Sequence, residues 1–415
     1  MASQVYDSLN KAWKSTCRVL FGSEAGELAN CAEWLAEYDE KIMHAKSGVS
    51  GKEVSFSQNE YDLSSRFAAF DEIEYGRKFA PVSINEMKDI DSLASAISER
   101  LVYTGNVVLG KSGLVERSSN IQDSHFVLES TVVSDSKYVG YSRYVSHGEY
   151  VFGLLGSDRG THAVKCMGSD IKRCFECHMV NYLSDCYYCA KTQNCRECFF
   201  CFGMENGAYA VGNTPLPREK YMAIKSKLLP EIASALKRDG KVFSLLEILE
   251  KCSAMKPDSR LKFKKEAEKP FDIKPIEKAF ASAADLLFGK NIGNLASFEK
   301  YLERHVPQNL ITRSPLSASP VVADGYRVHL LKKFKIEHRM ATEDEMRSIG
   351  AMSRLCDLEG LAIDAELLAK KLHPVAYTNL DKVSGKCGNY RNAPVIIDST
   401  DCMEGCAFLY SKKCA

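Results

Sequence analysis

Residues 109–151, LGKSGLVERSSNIQDSHFVLESTVVSDSKYVGYSRYVSHGEYV, contain a ladder with a three-residue step. The aliphatic positions are Leu109, Val115, Ile121, Val127, Val133, Val139, Val145 and Val151, and the small residues midway between them are Ser112, Ser118, Ser124, Ser130, Ser136, Ser142 and Gly148. One face of a strand repeats every 2 residues and one face of a helix about every 3.6, so a step of 3 fits neither. The step is typical of a chain that winds through short sides with one inward residue each. It predicts a β-solenoid.

The ladder continues past residue 154 with a one-residue slip, and cysteine then replaces many of the serines and valines. The inward series reads Gly168, Ile171, Cys174, Cys177, Val180, Leu183, Cys186, Cys189, Thr192, Cys195, Cys198, Cys201 and Met204. A longer repeat of 12 residues joins Phe126, Tyr138, Tyr150, His162, Cys174, Cys186 and Cys198 in one column, and Cys177, Cys189 and Cys201 in another. This repeat favours coils of about 12 residues over coils of 18.

Composition indicates an ordinary globular protein of two or three domains, with 415 residues and a net charge of +1. The near-neutral charge disfavours binding to nucleic acid or to anionic membranes. The sequence has no apolar run long enough for a transmembrane helix, and residues 1–22 read as an amphipathic helix rather than a signal peptide. Sixteen cysteines without an export signal indicate a reducing compartment, so we expect a cytoplasmic protein.

Segments near the two ends of the chain resemble each other at a nearly constant spacing. KAWKSTCRVLFG (11–22) matches KAFASAADLLFG (278–289) at a shift of 267, KSGVS (46–50) matches RSPLS (313–317) at 267, and DIDSL (89–93) matches DLEGL (357–361) at 268. The ladder returns at Ala393, and a shift of 269 places Ala393 opposite Ser124. The order of these matches predicts an internal duplication.

We therefore predict an α+β fold with a β-solenoid of about 12 residues per coil, in which a helical unit followed by coils occurs twice and the second copy is truncated. The predicted domains are a first α+β unit (1–104), a β-solenoid with cysteine-rich C-terminal coils (105–213), closing helices (214–252), a linker (253–272), a second α+β unit (273–383) and a truncated second solenoid (384–415). Predicted helices within these domains span 27–45, 84–101, 218–237, 294–307 and 357–372.

The densest cysteine region has the spacing of metal-binding knuckles. Its candidate ligands are Cys174, Cys177, Cys186, Cys189, Cys195, Cys198 and Cys201. Paired C-x-x-C segments commonly present four thiolates to zinc, and the first four cysteines would lie side by side in a stack of coils. The other three could hold a second ion together with His178 or Cys166. An iron–sulfur cluster uses the same type of ligand and is compatible with the spacing.

Plain packing explains the same cysteines without a metal. They occupy the inward positions that serine and valine occupy earlier in the ladder, and cysteine is among the most buried residue types. Disulfides are a third interpretation, which the reducing compartment disfavours. The spacing alone leaves the choice between metal ligation and packing open.

No other part of the sequence has a catalytic pattern. Nucleophile-elbow, zinc-protease, phosphate-binding-loop and dinucleotide-binding motifs do not occur in a strand-to-helix context. We interpret His162 as a packed ring in the aromatic column, and we expect His147 and Asp135 to face solvent.

Residues 198–221, CFFCFGMENGAYAVGNTPLPREKY, resemble the closing signature of uncharacterised cysteine-rich repeat proteins of archaea, candidate-phylum bacteria and large phages. The matching positions are Cys198, Cys201, Gly203, Asn206, Tyr209, Val211, Asn213, Glu219 and Tyr221. The resemblance implies a β-solenoid with metal sites and carries no known activity. The chain departs from that family in the early coils, which lack cysteine, and in the abrupt end of the second copy.

The favoured function is that of a non-enzymatic scaffold, with zinc stiffening the coils. An open coil end exposes unpaired backbone groups and apolar side chains, so we expect 384–415 to dock on another copy or on a separate protein. One alternative is a metal- or redox-dependent enzyme that uses the cysteine cluster. Another is a zinc-dependent nucleic-acid-binding protein that uses the basic stretch Lys262, Lys264, Lys265 and Lys269.

Overall fold

The computed structural model describes residues 3–39, 41–58, 61, 66–168, 171–267 and 270–415. It is a mixed α+β protein in which most strands pair in parallel. The chain divides into two compact units. Unit 1 comprises Met1–Cys177, Asn181–Asp185 and Leu228–Val242, and unit 2 comprises His178–Val180, Cys186–Lys227 and Phe243–Ala415.

Ten α-helices lie within the described residues. They are α1 (Gln4–Phe21), α2 (Ala32–Leu35), α3 (Ile90–Ile97), α4 (Arg218–Asp239), α5 (Leu245–Ser253), α6 (Lys274–Phe288), α7 (Glu299–Leu302), α8 (Val328–Phe334), α9 (Glu343–Ala351) and α10 (Ala365–Leu372). Short 3-10 helices span Leu28–Cys31, Ala36–Tyr38, Phe70–Glu72, Ile84–Glu86, Ser98–Arg100, Leu295–Phe298, Glu303–His305, Gly325–Arg327 and Glu337–Arg339.

The strands in the described residues are short, with two to four residues each. Those up to residue 175 are β1 (Met43–Lys46), β2 (Glu53–Phe56), β3 (Phe67–Ala69), β4 (Tyr103–Gly105), β5 (Val108–Leu109), β6 (Gly113–Glu116), β7 (Ser119–Gln122), β8 (His125–Leu128), β9 (Thr131–Ser134), β10 (Lys137–Gly140), β11 (Arg143–Ser146), β12 (Glu149–Phe152), β13 (Leu155–Asp158), β14 (Thr161–Val164) and β15 (Lys172–Phe175). The others are β16 (Ser184–Tyr187), β17 (Arg196–Phe199), β18 (Ala208–Val211), β19 (Thr214–Pro215), β20 (Leu310–Arg313), β21 (Pro320–Ala323), β22 (Lys382–Ser384), β23 (Gly388–Arg391), β24 (Val395–Ile397), β25 (Thr400–Met403), β26 (Ala407–Leu409) and β27 (Lys412–Cys414).

The predicted N-terminal helix is confirmed as α1. The Ser3 hydroxyl accepts a hydrogen bond from the Tyr6 N–H at 3.1 Å and caps the first turn, and Gly22 ends the helix with a φ of 79°. Leu9, Trp13 and Cys17, spaced four residues apart, are buried on one face, as expected for an amphipathic helix.

Two parallel sheets of unit 1, which we name the first coil stack, run from β5 to β15. The part of one sheet that lies in unit 1 has the order β6, β8, β10, β12, β14, β15, and the other sheet has the order β5, β7, β9, β11, β13. In the first sheet Val127 pairs with Val139 and Val139 pairs with Val151, so each strand aligns with the equivalent strand one coil further on. The predicted 12-residue spacing is therefore confirmed from β6 to β14, and the alternative of 18 is wrong. Strands β14 and β15 pair at a spacing of 11, Ala163 with Cys174. The predicted column that joins His162 to Cys174 is therefore wrong, because Cys174 continues the column of Val139 and Val151.

The three-residue step has a conformational cause, because every third residue of this stretch turns the chain with a positive φ. From Leu114 to Tyr150 the residues at these corners are Leu114, Arg117, Asn120, Asp123, Phe126, Glu129, Val132, Asp135, Tyr138, Tyr141, Tyr144, His147 and Tyr150, with φ between 45° and 61°. The left-handed conformation costs about 1–2 kcal/mol for a residue with a side chain. Hydrogen bonds between successive strands offset this strain, as when the Glu129 N–H donates to the Glu116 carbonyl at 3.2 Å.

The inward serines from Ser118 to Ser142 are buried, and their hydroxyl groups form hydrogen bonds with the backbone. The Ser130 hydroxyl donates to the Leu128 carbonyl at 2.8 Å and accepts the Ser142 N–H at 3.1 Å. Ser118, Ser124, Ser136 and Ser142 make the same pair of hydrogen bonds to the residues in equivalent positions. A small side chain that is both donor and acceptor therefore fits the narrow interior without an unpaired polar group.

The side elements of the predicted duplication recur in the same order and at the shift of the sequence matches. Leu28–Cys31, α2, Ala36–Tyr38, β1 and β2 have counterparts of the same type in Leu295–Phe298, α7, Glu303–His305, β20 and β21. The long helices predicted for 27–45 and 294–307 are wrong, because each segment forms a short α-helix between two 3-10 turns. Those predicted for 84–101 and 357–372 shorten to α3 and α10, which begin 275 residues apart. The match of DIDSL with DLEGL is therefore wrong, because DIDSL lies at the start of α3 and DLEGL precedes α10. The helix predicted for 218–237 is confirmed as α4.

Strands β22 to β27 in unit 2, which we name the second coil stack, correspond to β5 to β10 in order. Gly113, His125 and Lys137 begin β6, β8 and β10, and their counterparts Gly388, Thr400 and Lys412 begin β23, β25 and β27. In both stacks an aspartate accepts the backbone N–H of the lysine in a G-K-x-G turn, Asp123 from Lys111 at 2.8 Å and Asp398 from Lys386 at 2.9 Å.

This correspondence corrects the shift of 269 predicted for the second ladder, because the counterparts Gly113 and Gly388 are 275 positions apart. Because Gly388 is the counterpart of Gly113, Ala393 lies opposite Ser118 rather than Ser124. Aliphatic and small inward residues alternate, so the ladder looks alike after a displacement of six positions. The alternation alone therefore left the half-coil register undetermined, and the G-K-x-G turn settles it.

Candidate functional site

Five of the seven candidate metal ligands lie together in unit 2. Cys186, Cys189, Cys195, Cys198 and Cys201 are buried, and they occupy inward positions of the coils between β16 and β18. The 12-residue register continues here, since Cys198 pairs with Ala210 and the backbone of Ala190 bridges to His178 and Phe202. We call these five residues the thiol cluster.

The thiols make hydrogen bonds of the kind that the inward serines make. Cys189, Cys195, Cys198 and Cys201 each donate to the carbonyl two residues earlier, at Sγ to O distances of 3.3–3.4 Å. Cys195 also accepts the Gly207 N–H at 3.3 Å, as a serine would from the residue 12 positions later. Cysteine therefore replaces serine in these coils as a small hydrogen-bonding core residue.

The thiols of the cluster also contact one another. Side-chain hydrogen bonds with Cys186, Cys195 and Cys201 lower the pKa of Cys198. The hydrogen bond to Cys198, followed by burial, raises the pKa of Cys195, and burial is the main cause that raises the pKa of Cys201. The pKa of Cys198 therefore lies below those of Cys195 and Cys201.

The remaining two candidate ligands, Cys174 and Cys177, belong to unit 1 together with Cys166. Cys174 donates to the Lys172 carbonyl at 3.1 Å, and the Cys166 sulfur accepts the Cys177 N–H at 3.4 Å. Burial raises the pKa of the Cys166 thiol. These three side chains thus repeat the bonding pattern of the thiol cluster.

The thiols of both units form hydrogen bonds with the surrounding backbone. Across the described ranges, no three or more His, Cys, Asp or Glu side chains are grouped so that they could hold a metal ion. Thiolate ligands must also lose the protons that these thiols donate to carbonyls. Zinc or iron–sulfur ligation stays a prediction from the sequence.

If the cysteines are core residues, Cys186→Ser and Cys252→Ser should lower the free energy of unfolding by similar amounts, about 1–2 kcal/mol each. Cys252 is a suitable comparison because it is buried in α5, outside the coils, and donates to the Ala369 carbonyl at 3.6 Å. Urea unfolding of both variants measures the difference.

Elemental analysis of protein purified without added metal completes that test. A loss at Cys186 that greatly exceeds the loss at Cys252, together with about one or two zinc ions per chain, would contradict the core interpretation and support ligation.

One exposed cluster of the first coil stack contains the residue types of a hydrolase triad. The Ser146 hydroxyl lies 2.9 Å and the Asp158 carboxylate 3.1 Å from His147 Nδ1. Both groups contact the same ring nitrogen, whereas a catalytic histidine contacts its carboxylate through one nitrogen and its nucleophile through the other. The cluster therefore lacks the geometry of a catalytic triad, and His147 and Asp135 are exposed as predicted.

The aromatic column of the first coil stack is a packing feature. Phe126, Tyr138, Tyr150 and His162 stack with centroids 4.7–4.9 Å apart and interplanar angles of 11–21°. Each ring covers the faces of its neighbours, so the column presents mainly ring edges to solvent. The interpretation of His162 as a packed ring is confirmed, and burial lowers its pKa.

Sequence reasoning missed a buried charge cluster in unit 1. The Lys165 ammonium is fully buried, forms ion pairs with Glu37 and Glu176, and lies 4.5 Å from the Trp34 ring centroid and 4.4 Å from that of Tyr38. The Tyr38 hydroxyl donates to the Glu176 carboxylate. Lys165 and Glu176 are adjacent corner residues of one column, with φ of 52° and 53°, and follow the neutral residues Tyr141 and Gly153. Two opposite charges next to each other in that column were the signal that the sequence offered.

The second coil stack has open strand edges. Its sheets have the orders β22, β24, β26 and β23, β25, β27, so β26 and β27 are edge strands. The Thr400 N–H of β25 donates to the Ser411 carbonyl of the next coil at 3.0 Å. By the same coil register, the Lys412 N–H of β27 points in the same direction, away from the stack.

Other sequence predictions concern membranes and nucleic acid. Among the helices in the described part of the chain, none is both long and apolar enough to cross a bilayer. Lys262, Lys264 and Lys265 of the basic stretch are at least partly exposed and lie in irregular backbone, and Lys269 lies outside the described residues.

Comparisons with protein-family models, curated proteins and solved structures found no match to this chain. The resemblance of residues 198–221 to cysteine-rich repeat proteins therefore stays a prediction.

Proposed function

We propose that this protein is a non-enzymatic scaffold, in which duplicated β-solenoids bind a further protein chain by strand addition. The first coil stack of unit 1, the coils between β16 and β18 in unit 2, and the second coil stack would form these solenoids. The observation that carries the proposal is the pair of edge strands β26 and β27, which the fold presents in register for another coil. Edge strands are templates for pairing with another chain.

The interior of the coils supports a structural rather than a catalytic role. The inward positions hold aliphatic residues and hydrogen-bonded serines or thiols, which give a rigid and satisfied core. The exposed cluster of Ser146, His147 and Asp158 lacks the geometry of a triad. A stack of such coils is well suited to hold a partner along a regular surface.

Strand β27 offers a direct test of strand addition. Lys412→Pro removes an N–H group that, by register, points away from the stack, and proline is tolerated at sheet edges. We expect Lys412→Pro to keep the melting temperature of the protein and to weaken binding of an added coil peptide at least tenfold. The probe is a synthetic peptide of residues 141–176 of this chain, the segment that follows the counterparts of β27 and Cys414 in the first coil stack.

Isothermal titration calorimetry measures the binding, with Lys412→Ala as the matched control. The control loses the side chain but keeps the N–H, so its affinity should equal that of the unaltered protein. Equal affinities of the proline and alanine variants, or no binding of the peptide to the unaltered protein, would contradict the proposed function.

A further inference from the structure

The two copies of the long amphipathic helix differ in how much of their apolar face is covered. Ile276 and Ala284 of α6 are buried, as are their counterparts Leu9 and Cys17 of α1. Leu287 and Phe288 at the end of α6 and Leu302 of α7 are exposed, and we name these three residues the apolar patch. Their exposed fractions are 37–73%, whereas those of the counterparts Leu20, Phe21 and Leu35 are at most 3%.

Unit 1 shows what covers the corresponding surface in the first copy. Helix α1 packs on β12, β14 and β15 in addition to β6, β8 and β10. The Phe21 ring meets the Phe175 ring of β15 at 5.1 Å between centroids, and the Gly153 corner after β12 approaches the Leu35 carbonyl so closely that a Cβ there would lie 2.7 Å from it. Strands β12 to β15 thus bury Phe21 and Leu35.

Helix α6 has counterparts of only some of these contacts. It packs on β25 and β27, the counterparts of β8 and β10. Ile276 and Leu295 form a small core with Met403 of β25. The second coil stack contains counterparts of β5 to β10, and the apolar patch lies where the counterparts of β12 to β15 would pack.

Resting on the proposed function, we propose that the apolar patch is the docking surface for coils of a partner chain that continue the second coil stack beyond β26 and β27. The partner is a polypeptide of 12-residue coils with a large apolar residue in each coil at the position held by Phe152, Val164 and Phe175 in unit 1. The edge strands pair with its backbone, and the patch buries these apolar side chains.

The partner is a different chain rather than a second copy of this one. In unit 1 the coils that carry such residues already pack on their own helix, as when Phe152 meets Trp13 at 5.4 Å. In unit 2 the Phe199 ring lies 6.1 Å from that of Tyr221 in α4. A second copy would have to uncover one of these faces before it could occupy the patch.

Leu286 provides a matched control for the patch. It is adjacent to Leu287 and is 85% exposed, and its counterpart Val19 is also exposed, at 45%. The first copy therefore marks this position as a solvent-facing one, whether or not coils are docked.

The experiment titrates the 141–176 peptide into the full chain and into the variants Leu287→Asp, Phe288→Asp and Leu286→Asp. We expect the first two to weaken binding at least tenfold and the third less than twofold. A second peptide carrying F152S, V164S and F175S should also bind at least tenfold more weakly, although its backbone can still pair. The altered residues of the protein are exposed, so its melting temperature should not change.

The outcomes separate this inference from the proposed function. If the peptide binds, if Lys412→Pro abolishes binding and if both patch variants bind normally, strand addition stands and the patch inference is overturned. If Lys412→Pro has no effect, or if neither peptide binds, the proposed function fails and the patch inference fails with it. Concentration-dependent dimerisation of the unaltered chain that Leu287→Asp removes would assign the patch to a second copy and overturn the choice of partner.

Discussion

Val139→Asp is expected to unfold the first coil stack. Val139 is fully buried at an inward position of β10, paired with Val127 on one side and Val151 on the other. Its immediate ladder neighbours are Ser136 and Ser142, whose hydroxyls are already engaged with backbone groups. A carboxylate placed there has no cation to pair with, and an uncompensated buried charge costs about 3–5 kcal/mol.

Circular dichroism during thermal unfolding measures this effect, with Lys137→Asp as the control. Lys137 lies two residues away on the same strand, but its side chain is exposed. Its Nζ atom lies 5.0 Å from the centroid of the Tyr138 ring. The control should melt close to the unaltered protein. Equal melting temperatures of Val139→Asp and the unaltered protein would show that Val139 does not face the interior.

Lys165→Met is expected to have an effect of similar size for a different reason. The substitution keeps much of the side-chain volume but removes the cation that pairs with Glu37 and Glu176. Glu176 is fully buried, so its carboxylate would lose the positive charge that it pairs with in the protein interior. Breaking a buried pair on one side costs about 3–5 kcal/mol.

The double variant Lys165→Met/Glu176→Gln tests whether the loss comes from the stranded charge. Glutamine is neutral and can still accept the Tyr38 hydroxyl, so the double variant should regain part of the stability measured by urea unfolding. Lys14→Met is the matched control, because Lys14 forms its ion pair with Glu27 at the surface, and it should change stability far less. A double variant less stable than Lys165→Met alone would refute the explanation.

The spacing of small and aliphatic residues by itself determined the local architecture of the coils. A three-residue step follows from a corner with positive φ at every third residue, and the 12-residue columns follow from four such sides per coil. The inward or outward direction of Val139, His147 and Asp135 could be predicted because each depends only on the position within this local repeat. Repeated segments likewise predicted the duplicated side elements, which recur in the order of the sequence matches.

The tertiary structure decided the features that the local repeat cannot distinguish, which are the register of the second coil stack and the contacts made at long range. The alternation of inward residues repeats after six positions, so only the G-K-x-G turn and its aspartate fix the register of the second coil stack against the first. The Lys165 cluster joins residues more than a hundred positions apart, and no local pattern reports such a pairing. The same holds for the apolar patch: KAFASAADLLFG reads like KAWKSTCRVLFG, and burial of the final Leu-Phe pair depends on strands far along the chain. Burial at long range arises from which elements pack together, and a sequence pattern that specifies one element does not specify its neighbours.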